Sequence, residues 1–241
     1  MKMKLFFLLM ITAVITLGQN QKQNMLQEIK CTPPRFTGIE KAVPVLVEEK
    51  YMTIDEYIAK NVVYPDEDAT YFNQGTEVIQ FNVTPAGELA DIKVVNSVSK
   101  SIDTEVIRVL KTTNGMWKPG YNDDKAVAME KEISIVFKVG DGMNDFRTMG
   151  KKYYAKGSTA LFMKESPKKA LRNFDKGIVL LPNDCALLAL RGLTKYEIGD
   201  KDGAVKDWTR IKSLGGFEGE HFLTSFTNMK GYAQMINVVE K

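Results

Sequence analysis

The sequence has little of the chemistry that most catalytic sites use. It contains one histidine, His221, and two cysteines in 241 residues. A Ser-His-Asp or Cys-His arrangement would have to use His221, whose Gly-Glu-His context is typical of an exposed helix start. The chain has no His-Glu-x-x-His motif, no Cys-x-x-Cys pair and no glycine-rich phosphate loop. We therefore predict a protein that is not an enzyme and that uses no metal or cofactor.

Other absences limit the class of protein. Two cysteines and no glycine period exclude disulfide-rich and collagen-like chains. A mean hydropathy of -0.21 excludes a polytopic membrane protein. The 33 basic and 30 acidic residues give no general reason to expect nucleic acid as a partner. With 44% apolar residues, the chain has material for one or two ordinary cores.

The N-terminus carries the pattern of an export signal. Lys2 and Lys4 precede a run from Leu5 to Leu17 that is apolar apart from two threonines. Such a run is short for a membrane helix, which needs ~20 residues, but fits a cleaved signal peptide. We predict that residues 1–18 are a signal peptide cleaved near Gly18, so that the mature protein is periplasmic and does not span the membrane. An uncleaved N-terminal anchor is the alternative.

Charge and pattern divide the rest of the chain. Residues 19–145 contain 14 basic and 20 acidic side chains, whereas residues 146–241 contain 17 basic and 10 acidic ones. The change falls at a Gly/Asp/Asn cluster, residues 140–145, which is typical of a loop. We predict a leading segment over residues 19–52, one domain over 53–140 and a second over 146–241. Whether Cys31 and Cys185 pair stays open.

The first domain has strand periodicity around one amphipathic helix. Apolar residues alternate with polar ones in three segments, which predicts a hairpin with a turn at Gly87 and a last strand. A helix with Ser101 as its N-cap stands between them, and a short helix over residues 53–61 precedes them. The order predicts an α+β fold, a small αββαβ sandwich with an antiparallel sheet. The alternating residues are Ile79, Phe81, Val83; Ala90, Ile92, Val94; and Ile133, Ile135, Phe137, Val139.

An ordered series of short motifs in residues 33–139 resembles the C-terminal domain of the TonB family. The series comprises Pro33-Pro34-Arg35-Phe36-Thr37-Gly38, Tyr64-Pro65, Thr76 to Val83, Gly87, Asp91 to Val95, Ile102-Asp103, Arg108-Val109 and Trp117-Lys118-Pro119-Gly120. The stretch between Gly38 and Thr53 is longer than the family pattern. The resemblance implies a non-enzymatic periplasmic module that docks an extended segment of an envelope protein, such as an outer-membrane receptor, in TonB-type transport.

The last strand is the candidate binding element. A strand at a sheet edge has unpaired N–H and C=O groups that can accept a partner strand. We expect its outward side chains, Glu132, Ser134, Val136 and Lys138, to lie beside the partner. By the same resemblance, the neighbouring Tyr64-Pro65 contributes selection of the partner's side chains.

The second domain contains an internal sequence repeat. At an offset of 34 residues, Ser158 matches Gly192, Ala170 matches Ala204 and Phe174 matches Trp208. Small residues at these positions let paired helices approach closely, and the aromatic residues fill the gap between them. This pattern resembles tetratricopeptide repeats over about residues 147–241, with a capping helix over 221–239.

A second function is consistent with the same sequence. The protein would then be a structural or assembly scaffold of the cell envelope whose helical repeats form the binding surface, with a homodimer as an open alternative. The two readings differ in whether residues 33–50 of the same chain cover the edge of the last strand.

Overall fold

The computed structural model describes residues 30–38, 52–140, 145–217 and 226–240. The predicted signal peptide and His221 lie outside these ranges. The elements of the first part are β1 (Cys31–Thr32), β2 (Arg35–Phe36), α1 (Ile54–Asn61), α2 (Asp66–Thr70), β3 (Gly75–Val83), β4 (Leu89–Asn96), α3 (Lys100–Lys111), β5 (Trp117–Lys118), β6 (Gly120–Asn122), β7 (Lys125–Val127) and β8 (Met129–Phe137).

The main sheet is antiparallel with the order β4-β3-β8. Its hairpin turn contains Gly87 in the left-handed region, with φ 78°. The αββαβ core of the prediction is therefore present, in α1, β3, β4, α3 and β8. Two small sheets add to it: β1 pairs with β6 and β6 with β7, while β2 pairs with β5. The strands of these small sheets are only two or three residues long, too short to show an alternating pattern.

One face of the main sheet packs on α3. Ile79, Phe81 and Val83 of β3 are buried, and α3 meets them with a buried stripe at helical spacing. Trp117 closes one end of this core, with its ring centroid 5.2 Å from that of Phe36 and 5.3 Å from that of Phe81. The stripe consists of Ile102, Val106, Val109 and Leu110.

One detail of the prediction is wrong at the start of α3. The N-cap is Ser99, whose side chain accepts the N–H of Ile102, and not Ser101. The Ser101 hydroxyl instead donates to Asp68, which is only 1% exposed. Asp68 lies in α2 and also accepts from the Asn73 side chain. Its hydrogen bonds hold the pKa of this carboxyl below its usual range, against the opposing effect of burial.

The second part is helical. Its elements are α4 (Phe146–Ser158), a π turn (Thr159–Met163), α5 (Pro167–Leu180), α6 (Cys185–Glu197), α7 (Lys201–Ser213) and α8 (Tyr232–Glu240). Helix α4 packs against α5 and α6 against α7, each pair joined by a short connection. The predicted capping helix is shorter than expected, because residues 226–231 form turns and α8 begins at Tyr232. The two cysteines are not joined in a disulfide.

The two helix pairs share one packing arrangement. A Cβ atom on Gly192 would lie 2.3 Å from the Trp208 indole nitrogen, so only glycine lets α6 approach α7 this closely. In the first pair Gly157 has this role, since its Cβ would lie 2.4 Å from the Phe174 ring. The predicted match of Ser158 with Gly192 is therefore wrong by one residue. The one-residue difference falls in the π turn, where a π-helical turn accommodates an added residue within an α-helix.

The helical part also contacts the sheet at the start of β3, where Gly75 lies on the α3 side and Thr76 on the face opposite α3. A Cβ atom on Gly75 would lie 2.6 Å from the Val179 carbonyl oxygen, and the Thr76 hydroxyl donates to the Leu180 carbonyl at 2.9 Å. Val78 is fully buried on the same face as Thr76. The apolar cores of the two parts are separate clusters.

Candidate partner-binding edge

Strand β8 lies at one edge of the main sheet. It pairs with β3 through nine consecutive residue pairs, from Gly75↔Phe137 to Val83↔Met129, with no shift in register. On its other side, no strand from the described ranges pairs with it. Its backbone therefore presents a straight, regular edge, which is the geometry that a further strand needs.

Strand β4 forms the opposite edge and differs in regularity. Its pairing with β3 shifts register twice, between Val78 and Ile79 and between Gln80 and Asn82. Asp91 within it has φ 52°, in the left-handed region. Irregularities of this kind twist an edge and interrupt its row of hydrogen-bonding groups, which discourages strand addition. The two edges are therefore not equivalent, and β8 is the more suitable one.

The predicted outward side chains of β8 are in two different situations. Ser134 is exposed, and Val136 is 61% exposed. Lys138 is exposed too, but it follows the strand, which ends at Phe137 and not at Val139 as predicted. Glu132 is instead held from within the chain, because Arg210 of α7 donates to its two carboxylate oxygens at 2.6 and 2.8 Å. Arg210 also donates to the Asn183 side chain at 2.6 Å. Glu132 thus ties the helical part to β8.

Tyr64 and Pro65 lie near the C-terminal end of β8. The Tyr64 ring centroid is 5.4 Å from that of Phe137, the last residue of the strand. The Tyr64 hydroxyl donates to the Asn73 carbonyl at 2.6 Å, which fixes the ring. Burial raises the pKa of this hydroxyl, and the negative charge of Asp68 adds to the effect. Pro65 is the N-cap residue of α2 and has extended backbone geometry.

Exposed apolar residues that the sequence reasoning missed lie next to this site. Tyr71 and Phe72 are 69% and 68% exposed, and Val63 is 67% exposed. Phe72 has φ 54°, a left-handed conformation that is unfavourable for an aromatic residue. The pair directly precedes β3, whose first residue pairs with Phe137. An aromatic pair inside the polar sequence Thr-Tyr-Phe-Asn-Gln was the signal that could have identified them.

The chain's own leading segment, in its described portion, does not cover β8. Within residues 33–38, Arg35 pairs with Lys118 and Phe36 with Trp117, so this portion adds to β5. The Thr37 hydroxyl and N–H both donate to the Met116 carbonyl, which continues the same contact. Residues 39–50 lie outside the described ranges.

The described residues contain neither a metal-binding cluster nor a membrane-spanning helix. Across the described ranges, no group of three or more His, Cys, Asp or Glu side chains is placed to hold a metal ion. In the same ranges, none of the helices combines the length and apolar character needed to cross a bilayer.

Comparison with known proteins bears on the first part of the chain. Residues 60–139 match the family model described as Gram-negative bacterial TonB protein C-terminal. This range begins at the end of α1 and includes α2, β3, β4, α3 and β8, with the candidate edge. Searches of curated proteins and of solved structures found no match to the chain.

Proposed function

We propose that this protein is a periplasmic interaction module that captures an extended segment of an envelope protein by adding it as a strand to β8. The observation that carries the proposal is the contrast between the two edges of the main sheet: β8 pairs without a break, whereas β4 is bulged. The match of residues 60–139 to the TonB C-terminal family supports an envelope partner, with an outer-membrane receptor segment as the first candidate.

Main-chain hydrogen bonds to β8 would supply affinity that does not depend on the partner's sequence. Selectivity would come from side chains beside the edge. Val136, Tyr71 and Phe72 offer exposed apolar surface near the end of β8, and Lys138 adds a positive charge. A partner segment with apolar side chains at alternate positions and an acidic residue at one end fits this surface best.

The helical part has the internal similarity expected of tetratricopeptide repeats, and we propose that it belongs to that class. The support is the repeated contact of a glycine in the first helix with an aromatic ring in the second, Gly157 with Phe174 and Gly192 with Trp208. Ala170 and Ala204, at equivalent positions of α5 and α7, are both fully buried. In this arrangement the helical part is a second binding surface, held against the sheet by Arg210 and Glu132.

The test uses proline substitutions, which remove one backbone donor each. Because N–H groups alternate between the two sides of a strand, Ser134→Pro and Val136→Pro sample one set of β8 donors and Lys131→Pro samples the other. Proline substitutions that remove donors facing β3 should destabilise the domain. Substitutions that remove donors facing outward should leave its thermal midpoint nearly unchanged. We expect the folded proline variant to lose capture of its envelope partner in a pull-down from envelope extract.

The matched control is Lys93→Pro on β4, the other edge strand. A folded Lys93 variant should capture the same partner as the wild type. If the folded β8 variant retains the partner, or if the β4 variant loses it as well, strand addition at β8 is not the mechanism.

A further inference from the structure

The two copies of the helix pair place equivalent residues side by side. Because Gly157 corresponds to Gly192 and Phe174 to Trp208, the residues that precede them also correspond. Lys156 therefore corresponds to Arg191, and Asn173 to Asp207. In each pair of helices, one of these residues directly precedes the glycine and the other directly precedes the aromatic residue that the glycine contacts.

In the second copy the residue that precedes the aromatic ring is an aspartate, Asp207, whose carboxylate is held by two cations. Arg191 donates to the two oxygens of Asp207 at 2.6 and 3.0 Å, and the Lys195 ammonium donates at 2.9 Å. Asp207 is only 3% exposed. A charge buried this deeply is stabilised only when cations and hydrogen bonds surround it, as they do here.

In the first copy the acid is absent and one of the two cations remains, since Lys156 corresponds to Arg191 while Ala160 stands at the position of Lys195. Asn173 replaces the acid with a neutral amide, whose nitrogen donates to the Lys169 carbonyl at 2.7 Å. Asn173 borders a cleft of about 460 Å³. The cleft is lined by Ala155, Lys156, Thr159, Lys164, Lys169 and Asn173. No carboxylate of the described residues lies within ion-pair distance of its three lysines. The nearest acid in sequence is the exposed Glu165, which does not line the cleft.

The π turn contributes one residue, Thr159, to the lining of this cleft. Gly157 precedes Ala170 by 13 positions, whereas Gly192 precedes Ala204 by 12, so the first copy has one residue more. Thr159, the first residue of the π turn, lines the cleft, while Phe162 and Met163 from the same turn are 46% and 80% exposed. Single π turns are often found at functional sites.

We propose that this cleft binds an acidic peptide segment, one carboxylate of which takes the place that Asp207 occupies in the second copy. Met163, which is 80% exposed and precedes Lys164 of the cleft, favours a peptide, which can bring an apolar side chain, over a free phosphate. The excess of basic residues in positions 146–241 adds a long-range attraction for such a segment. This site is separate from β8, so it does not rest on the proposed strand addition.

The test measures binding of a fluorescent six-residue peptide, alternating glutamate and leucine, to the full chain by anisotropy at low salt. The wild type should bind it, and a glutamine–leucine counterpart should not. We expect Lys156→Gln, Lys164→Gln and Lys169→Gln together to weaken binding about tenfold or more. The matched control, Lys206→Gln, Lys212→Gln and Lys230→Gln, makes the same change in net charge away from the cleft and should bind within about twofold of wild type.

A second variant tests the comparison between the copies directly. Asn173→Asp would supply the first copy with its own carboxylate beside Lys156, as Asp207 does beside Arg191. We expect this variant to fold and to bind the peptide about tenfold more weakly. The proposal would be overturned by equal binding to both lysine triples, by undiminished binding to Asn173→Asp, or by binding of inorganic phosphate or anionic vesicles in place of the peptide.

Discussion

Replacing Trp208 with alanine should lower the free energy of unfolding of the helical part by about 3–5 kcal/mol. The indole is completely buried, touches Gly192 and lies with its centroid 5.7 Å from the Tyr196 ring. Gly192 brings the two helices together at this point, so the surrounding side chains have little freedom to fill the cavity. Urea unfolding followed by circular dichroism at 222 nm measures the loss.

Trp208→Phe is the matched control, because the first copy has phenylalanine at the equivalent position. The Trp208 N–H finds no acceptor among the described residues, so removing it relieves a buried unpaired donor. We expect a loss of less than about 1.5 kcal/mol for this variant. In both variants Trp117 is the remaining tryptophan, so its fluorescence reports on the sheet alone. A loss below about 1 kcal/mol for Trp208→Ala would contradict the packing described here.

Glu77→Gln should remove a pH dependence of stability from the first part. Glu77 lies in β3 with no exposed surface, and its carboxylate accepts the Val98 N–H at 2.9 Å. No donor among the described residues contacts the second oxygen. Burial raises the pKa of Glu77 to about 8, and the nearby negative charge of Asp103 adds to this, against the smaller lowering effect of the Val98 bond.

The sign of this pH dependence of stability follows from proton linkage. The folded protein keeps the Glu77 proton up to pH of about 8, whereas the unfolded chain releases it near 4.5. The stabilising contribution is therefore complete below pH 4.5 and is lost as the pH rises toward 8, by at most about 1.4 kcal/mol per pH unit. The contribution of Glu77 should thus make wild type several kcal/mol less stable at pH 8.5 than at pH 5.

Unfolding midpoints of wild type and Glu77→Gln over pH 5 to 8.5 measure the effect as a difference. The glutamine oxygen still accepts from Val98, so the variant should be nearly independent of pH in this range. Asp175, whose pKa burial also raises, contributes in the same direction in both proteins and cancels in the difference. Parallel pH curves for the two proteins would show that Glu77 is ionised in the folded state.

The sequence alone was sufficient for the elements with strong periodicity. Alternation at Ile79, Phe81 and Val83 predicted β3, and the spacing of Ile102 and Val106 predicted α3, because burial of one face fixes each pattern. Thr53 likewise begins α1 with a capping box formed with Glu56. These elements are determined locally.

Contacts between residues that lie far apart in the sequence could not be predicted. The pair Arg210–Glu132 joins positions 78 apart, and no pattern in either segment indicates the other. Asp68 lies in an acidic run that resembles a solvated turn, and only the fold brings Ser101 to it. A fixed offset of 34 assumes copies of equal length, so the added residue in the π turn displaced the match from Gly157 to Ser158.

Hydrogen–deuterium exchange on the complex with the captured envelope partner tests strand addition most directly. Outward-facing amides of β8 (Met129–Phe137) should exchange more slowly in the complex than in the free protein, because a partner strand accepts from them. Amides of the irregular edge strand β4 (Leu89–Asn96) should exchange at the same rate in both. Protection confined to β4 or to the helical part, with β8 unchanged, would contradict the account.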